Sequence, residues 1–119
     1  MNDMSANEAE CDRSALDEMR EGLGDELFRQ LVGSCVLDVT TFLDQLPTRY
    51  APDREKMARF IAHKLSGLFG QFGAMEAWKA AHEVETCEAE MIEGHLSRLR
   101  YAGTRALAEL ERIRDGSNC

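Results

Sequence analysis

Apolar residues recur at spacings of three and four along most of the chain, which is the pattern of amphipathic helices. A short helix is predicted to begin at Ser14, where Asp17 completes a capping-box pattern. It is predicted to run through Leu16 and Met19 as far as Leu23, where Gly22 and Gly24 break the chain. A long helix is predicted from Asp25 to about residue 46. Since only two prolines interrupt the chain, the pattern favours helices over a sheet.

Three further helices are predicted in the second half of the chain. Asp53 is a plausible N-cap for a helix that ends at Gly73, a residue suited to the left-handed conformation after a C-terminus. The next helix is predicted from about residue 75 to residue 91, and the segment 92–94 is predicted to form a turn. The last helix carries a near-heptad stripe made of Leu96, Leu99, Gly103, Ala106, Leu107, Leu110 and Ile113.

These elements predict an all-α fold, an antiparallel up-down four-helix bundle with a short additional helix at its N-terminal side. A chain of 119 residues is long enough for one hydrophobic core. The bundle is assigned to residues 13–115. Residues 1–12 are predicted to be a disordered tail because they are polar and lack apolar periodicity, and residues 116–119 are predicted to be a frayed end.

The helix after Asp53 carries a histidine on its polar face. Its apolar residues form one predicted arc, at about 100° per residue: Met57, Phe60, Ile61, Leu65, Leu68, Phe69 and Phe72. His63 falls almost opposite that arc and is therefore expected to be exposed to water. The same outer strip carries Lys56, Arg59, Ser66, Gly67 and Gly70, and Gln71 lies near its edge.

Two features set this strip apart from an ordinary solvated helix face. Gly67 and Gly70 each cost a helix about 1 kcal/mol relative to alanine, so they are expected to leave an uncovered approach beside His63. The stretch from Lys56 to Met75 holds no acidic residue, although the chain has 22 Asp and Glu residues. Such a stretch is expected to keep a local positive potential that favours an incoming phosphate.

Composition narrows the classes of function. A formal net charge of −8 argues against a general binder of nucleic acid or of anionic membranes. No apolar run reaches the length of a transmembrane helix, and the N-terminal residues do not resemble a signal peptide. We therefore expect a cytoplasmic protein that does not associate with membranes.

No metal site and no cofactor are predicted. The cysteines, Cys11, Cys35, Cys87 and Cys119, form no C-x-x-C pair, and free thiols are expected in this compartment. Cys35 and Cys87 fall on apolar stripes and are interpreted as small core residues. His82 and His95 lack the Glu-x-x-His spacing of a di-metal bundle site.

The stretch from His63 to Gly73 resembles the motif of the histidine-containing phosphotransfer (HPt) domains of bacterial phosphorelays. That motif has the form His-x-Leu-Lys-Gly, about four residues, then Leu-Gly, on the second helix of a four-helix bundle. The positions that match it in register are His63, Leu65, Gly67, the apolar Phe72 and Gly73. Ser66 departs from it, because the family usually has lysine at that position.

The resemblance implies that His63 accepts a phosphoryl group from the phospho-aspartate of a receiver domain and passes it to another receiver. The partners would be receiver domains of response regulators or of hybrid histidine kinases, and the chain, expected to be a monomer, would use no ATP. The phosphate- or partner-binding candidates are Lys56, Arg59, Lys64, Ser66, Gly67, Gly70 and Gln71. Ser66 could bond a phosphate oxygen or its own helix backbone.

Two alternatives of other classes stay open. The bundle could be an adaptor that docks on a receiver or a histidine kinase and modulates it without carrying phosphate, which Ser66 favours and His63 opposes. It could also be a purely structural oligomerisation bundle, which leaves the two surface glycines unexplained.

Overall fold

A computed structural model of the chain describes residues 11–116. All regular structure in this range is helical, which confirms the all-α prediction. The elements are α1 (Arg13–Leu23), α2 (Asp25–Gln45), α3 (Arg54–Gln71), α4 (Met75–Thr86), a short 3-10 helix (Ala89–Met91) and α5 (Ile92–Arg114). None of the helices in residues 11–116 has the length and apolar character that crossing a bilayer requires.

Helix α4 ends five residues before its predicted end. Two carbonyl oxygens of its last turn, those of Val84 and Glu85, accept hydrogen bonds from Arg59 of α3. The backbone is extended at Cys87 and Glu88, so these carbonyls bond a side chain instead of a further helical turn. The segment 92–94, predicted as a turn, instead forms the first turn of α5.

Asp12 caps helix α1, whereas the sequence predicted Ser14 as the cap. The Asp12 carboxylate accepts hydrogen bonds from the backbone N–H groups of Ser14 and Ala15 at 3.0 and 3.3 Å. The Asp12 N–H donates to the carbonyl oxygen of Gly73 at 3.1 Å. This contact ties the start of α1 to the turn between α3 and α4.

The two described residues of the predicted tail therefore pack on the fold. Cys11 is buried, and its backbone N–H donates to the carboxylate of Glu109 on α5 at 3.0 Å. The rest of the predicted tail, residues 1–10, and residues 117–119 of the predicted frayed end lie outside the described range.

The contacts between helices fix their relative directions. Arg59 of α3 reaches residues 84 and 85 of α4, whereas Gly70 lies against Trp78, so α3 and α4 are antiparallel. Leu43 of α2 lies against Gly103 of α5, and Arg100 of α5 donates to the carbonyl oxygen of Pro47 just beyond α2. Helix α5 packs extensively on both α2 and α4.

The buried arc of α3 is rotated from the predicted one. Met57 and Phe60, predicted to be in the core, are 47% and 60% exposed. Smaller residues take their place, and the buried positions of the helix are Ala58, Ile61, Ala62, Leu65, Ser66 and Phe69. Helix α3 packs closely on α4, and His63 stays on the outside.

Of the cysteines within the described range, Cys35 and Cys87 are free thiols. Cys35 is 3% exposed, which agrees with its interpretation as a core residue, whereas Cys87 is half-buried. Burial raises the pKa of the Cys35 thiol to about 12, and the carboxylate of Asp38 adds to the shift. Cys119 lies outside the described residues.

Candidate functional site

His63 stands on the outer surface of α3, as the helical pattern predicts. Its side chain is 72% exposed. Its ring nitrogen Nδ1 lies 2.7 Å from Oε2 of Glu85 on α4. Glu85 is 22% exposed, so a largely buried carboxylate contacts one edge of an exposed imidazole ring.

The contact with Glu85 determines the tautomer of a neutral His63 ring. An ionised carboxylate only accepts hydrogen bonds, so Nδ1 must carry the proton that it shares with Glu85. The lone pair of a neutral ring then lies on Nε2. This arrangement provides an exposed nitrogen nucleophile whose ring orientation is fixed by the neighbouring helix.

Arg59 lies one helical turn before His63, but it contacts protein atoms on two sides. Its Nη1 donates to the carbonyl oxygens of Val84 and Glu85 at 3.1 and 2.9 Å. Its Nε and Nη2 donate to one carboxylate oxygen of Glu55 at 3.1 and 3.0 Å. The guanidinium group therefore links α3 to the C-terminal end of α4.

Ser66 turns away from the surface strip that carries His63. The residue is 9% exposed, and its hydroxyl donates to the backbone carbonyl oxygen of His63 at 2.8 Å. Of the two roles considered for this hydroxyl, the structure shows the bond to its own helix. The position three residues after the histidine therefore presents no charged group to the surface.

The two glycines of the strip differ in their surroundings. A Cβ atom added at Gly67 would have no neighbour within 4 Å, so this position leaves open space one turn after His63. A Cβ atom at Gly70 would lie 3.4 Å from the indole of Trp78. The uncovered approach predicted from both glycines is therefore present at Gly67, whereas Gly70 accommodates a side chain of α4.

The other candidates are spread around the helix. Lys56 and Gln71 are exposed at its two ends. The Lys64 ammonium group lies 5.3 Å from the centre of the Phe60 ring, which is cation–π geometry on an exposed aromatic side chain. The structure thus places Gly67 beside His63 and gives Lys64 a contact within its own helix.

A second histidine approaches the same carboxylate. His82 Nδ1 lies 3.9 Å from the other oxygen of Glu85, and the His82 ring stacks on Trp78 with their centres 5.1 Å apart. His95 lies elsewhere, with Nδ1 3.5 Å from a Glu83 oxygen in a geometry that makes no hydrogen bond. Glu85 is thus approached by two histidines, and the second of them stacks on Trp78 of the same helix.

The charge near His63 differs from the sequence-based expectation. The stretch 56–75 lacks acidic residues, but Glu55 and Glu85 bring carboxylates to the site from just before the stretch and from the next helix. Both carboxylates are engaged, one by Arg59 and one by His63. The site therefore pairs positive and negative groups instead of presenting a uniformly positive face.

Glu85 is the site residue that the sequence analysis missed. It is 22 positions from His63, and no local motif connects the two. One signal could have found it: the tight turn at Gly73 makes α3 and α4 antiparallel neighbours, so residues at similar distances from the turn face each other. That rule places residues 83–85 opposite residues 61–63.

Within residues 11–116, no group of three or more His, Cys, Asp or Glu side chains is arranged to hold a metal ion. Comparison of the chain with protein-family models, with curated proteins and with solved structures gave no significant match.

Proposed function

We propose that this chain is a histidine phosphotransfer protein in which His63 accepts a phosphoryl group from a receiver-domain phospho-aspartate and relays it to another receiver. In this proposal α2–α5 form an antiparallel HPt-type four-helix bundle, and the protein acts in the cytoplasm as a monomer. The observation that carries the proposal is the exposed His63 ring with Nδ1 bonded to Glu85. The resemblance of the His63 motif to HPt domains supports it.

The Glu85 contact suits a nitrogen nucleophile. The Nε2 lone pair forms a bond to phosphorus, and the bond between phosphorus and the aspartyl oxygen breaks, with its electron pair leaving on the carboxylate. The ring gains a positive charge while Nδ1 keeps its proton. The Glu85 carboxylate at 2.7 Å stabilises that charge. The return step, to a second receiver, reverses these changes.

A separate protein must reach Nε2, so exposure and open space matter as much as basicity. His63 is 72% exposed, and the absence of a side chain at Gly67 leaves room one turn further along α3. The metal ion and most of the charge-stabilising groups would come from the receiver. This chain would then contribute a nucleophile and a docking face, not a complete active site.

The test is phosphoryl transfer to the full chain from receiver domains of the same organism, each charged with radiolabelled acetyl phosphate. We expect label on the wild type and none on His63→Gln, with the acid-labile, base-stable behaviour of a phosphoramidate bond. His82→Gln is the matched control, since it removes another exposed histidine beside Glu85, and it should keep its label. Label that survives His63→Gln would refute the proposal.

An adaptor that docks without carrying phosphate is the second candidate. It is favoured because Ser66 bonds its own helix and Arg59 bonds Glu55 and α4, so neither is directed to a bound phosphoryl group. The same experiment separates the two functions. A receiver that binds the chain tightly, with no label transferred to it under any condition, would identify the adaptor.

A further inference from the structure

Arg59 makes four hydrogen bonds to protein acceptors, and all three of its nitrogen atoms take part. Nη1 bonds the carbonyl oxygens of Val84 and Glu85, and Nε and Nη2 bond the carboxylate of Glu55. The side chain is 25% exposed. A bidentate grip on a phosphoryl group needs two N–H groups, so Arg59 would have to break existing bonds to provide one.

The two carbonyl acceptors of Arg59 belong to the last turn of α4, where helix carbonyls lack partners within the helix. A cation at this end is also favoured by the helix dipole. One of the two carbonyls is that of Glu85, the residue whose carboxylate bonds Nδ1 of His63. Arg59 and His63 thus contact the same residue of α4, one at its backbone and one at its side chain.

We infer that Arg59 is a positioning residue for His63. By fixing the backbone of residues 84 and 85 against α3, it holds the Glu85 carboxylate at hydrogen-bond distance from Nδ1 and so keeps the neutral ring in the tautomer with a free Nε2 lone pair. Its effect on phosphoryl transfer rests on the proposed function. Its effect on the ring does not, and can be measured without any partner.

The competing role for Arg59 is direct contact with the phosphoryl group or with acidic residues of the receiver. Direct contact leaves the tautomer of His63 in the isolated chain independent of Arg59. Positioning makes it depend on Arg59. The two roles therefore differ in a property of the isolated protein.

The experiment is nitrogen NMR of the full chain labelled with 15N-histidine, recorded above the pH at which its histidines are protonated. In the wild type we expect His63 to show a protonated Nδ1 and an unprotonated Nε2. Arg59→Gln should shift the ring toward the tautomer protonated at Nε2, and Glu85→Ala, which removes the acceptor, should produce the same shift. Arg59→Lys should restore part of the wild-type pattern. Lys56→Gln, one turn before Arg59, removes a cation from the same strip and should leave the ring unchanged.

The second measurement is the rate of transfer from a charged receiver to each variant. Because a small displacement of a reacting group slows a reaction strongly, Arg59→Gln should slow transfer roughly tenfold to a hundredfold. Arg59→Lys should recover part of the rate together with the tautomer. If Arg59→Gln fails to fold, Arg59→Lys carries the ring measurement by itself, with a partial shift expected.

An unchanged His63 tautomer in folded Arg59→Gln, or in Arg59→Lys when only that variant folds, would overturn the inference. A lower transfer rate with that unchanged ring would assign Arg59 to direct contact. If the wild type accepts no phosphate from any receiver, the proposed function fails, while the NMR result still decides whether Arg59 positions the ring.

Discussion

At the scale of single residues, the environment of the His63 ring depends on a few short contacts. The Glu85 carboxylate lies 2.7 Å from Nδ1 of His63, and Arg59 donates a hydrogen bond to the backbone carbonyl oxygen of Glu85. Gly67 leaves open space at the next turn of α3. Ser66, on the same helix, is turned inward onto the carbonyl oxygen of His63. The contribution of each residue follows from what its atoms touch more than from its position in the motif.

Under the proposed phosphotransfer function, replacement of Ser66 by alanine should leave the rate of transfer to His63 unchanged. The hydroxyl bonds a backbone carbonyl of its own helix, and such bonds contribute little to stability. We expect the free energy of unfolding to change by less than about 1 kcal/mol. The check is the transfer rate of Ser66→Ala beside a urea titration. A severalfold slower transfer at unchanged stability would show that the hydroxyl acts on the phosphoryl group.

Cys35 should make the fold sensitive to alkaline pH. Burial raises the pKa of this thiol from its ordinary value of 9.0 to about 12, so between these values the unfolded chain loses the proton and the folded chain keeps it. The free energy of unfolding then falls as pH rises, by about 1.4 kcal/mol per pH unit.

Urea titrations near pH 8 and near pH 10.5 measure this effect. Cys35→Ala is the control because it lacks the thiol, and the wild type should lose about 2 kcal/mol more than this variant between the two pH values. Equal losses in the two proteins would mean that the thiol does not titrate differently in the folded and unfolded states.

At the scale of elements, the turn between α3 and α4 sets the register that brings Glu85 to His63. Gly73 has a φ of +68°, in the left-handed region that favours glycine, and its carbonyl oxygen accepts the N–H of Asp12. The turn therefore joins three elements: α3, α4 and the cap of α1. Its sequence signal was a single glycine after an apolar run, which predicted the end of α3 correctly.

Gly73→Ala should destabilise the protein by about 2–3 kcal/mol. The left-handed conformation costs an alanine roughly 1–2 kcal/mol, and the added Cβ would lie 2.5 Å from Cβ of Asp12, which disturbs the α1 cap. Gly94→Ala is the matched control in the first turn of α5. A Cβ there has no neighbour within 4 Å, so this change should stabilise the protein by up to about 1 kcal/mol.

Thermal and chemical unfolding of the two glycine variants measure the difference. Similar stability for Gly73→Ala and Gly94→Ala would contradict the role given to the turn.

At the scale of the whole molecule, α5 connects α2 with the pair formed by α3 and α4. It packs on α2 and on α4, and at Gly103 it approaches both Leu43 of α2 and Phe69 of α3 closely. A Cβ at Gly103 would lie 2.9 Å from a Leu43 methyl group and 3.4 Å from the Phe69 ring. Three helices thus meet where one of them carries no side chain, and the Phe69 ring lies at that junction.

Phe69→Ala should cost about 3–5 kcal/mol of unfolding free energy, because it leaves a cavity where three helices meet. Phe60→Ala is a matched control on the same helix. Phe69 is fully buried whereas Phe60 is 60% exposed, so the control should change stability by less than about 1 kcal/mol. Chemical denaturation of both variants checks the difference, and similar losses would contradict the observed orientation of α3.

The positions of several helices and the exposure of His63 depend on residues close together in the chain, so the sequence alone was sufficient to predict them. Apolar spacing identified α2, α3 and α5, Gly73 marked the end of α3, and helical geometry placed His63 in solvent. The predictions were wrong where contacts between elements matter. Asp12, which caps α1 with its carboxylate, is also bonded through its N–H to Gly73, and α4 ends early at carbonyls that bond Arg59. Phe60 stands outside because the buried arc of α3 includes Ala58 and Ala62 in its place.

Only the tertiary structure brought Glu85 to His63, turned Ser66 inward and engaged Arg59 with α4. These contacts join residues on different helices or depend on which face of α3 is buried. A helical period gives the spacing of side chains along one element, but the partner of each side chain is decided by how the helices pack against each other.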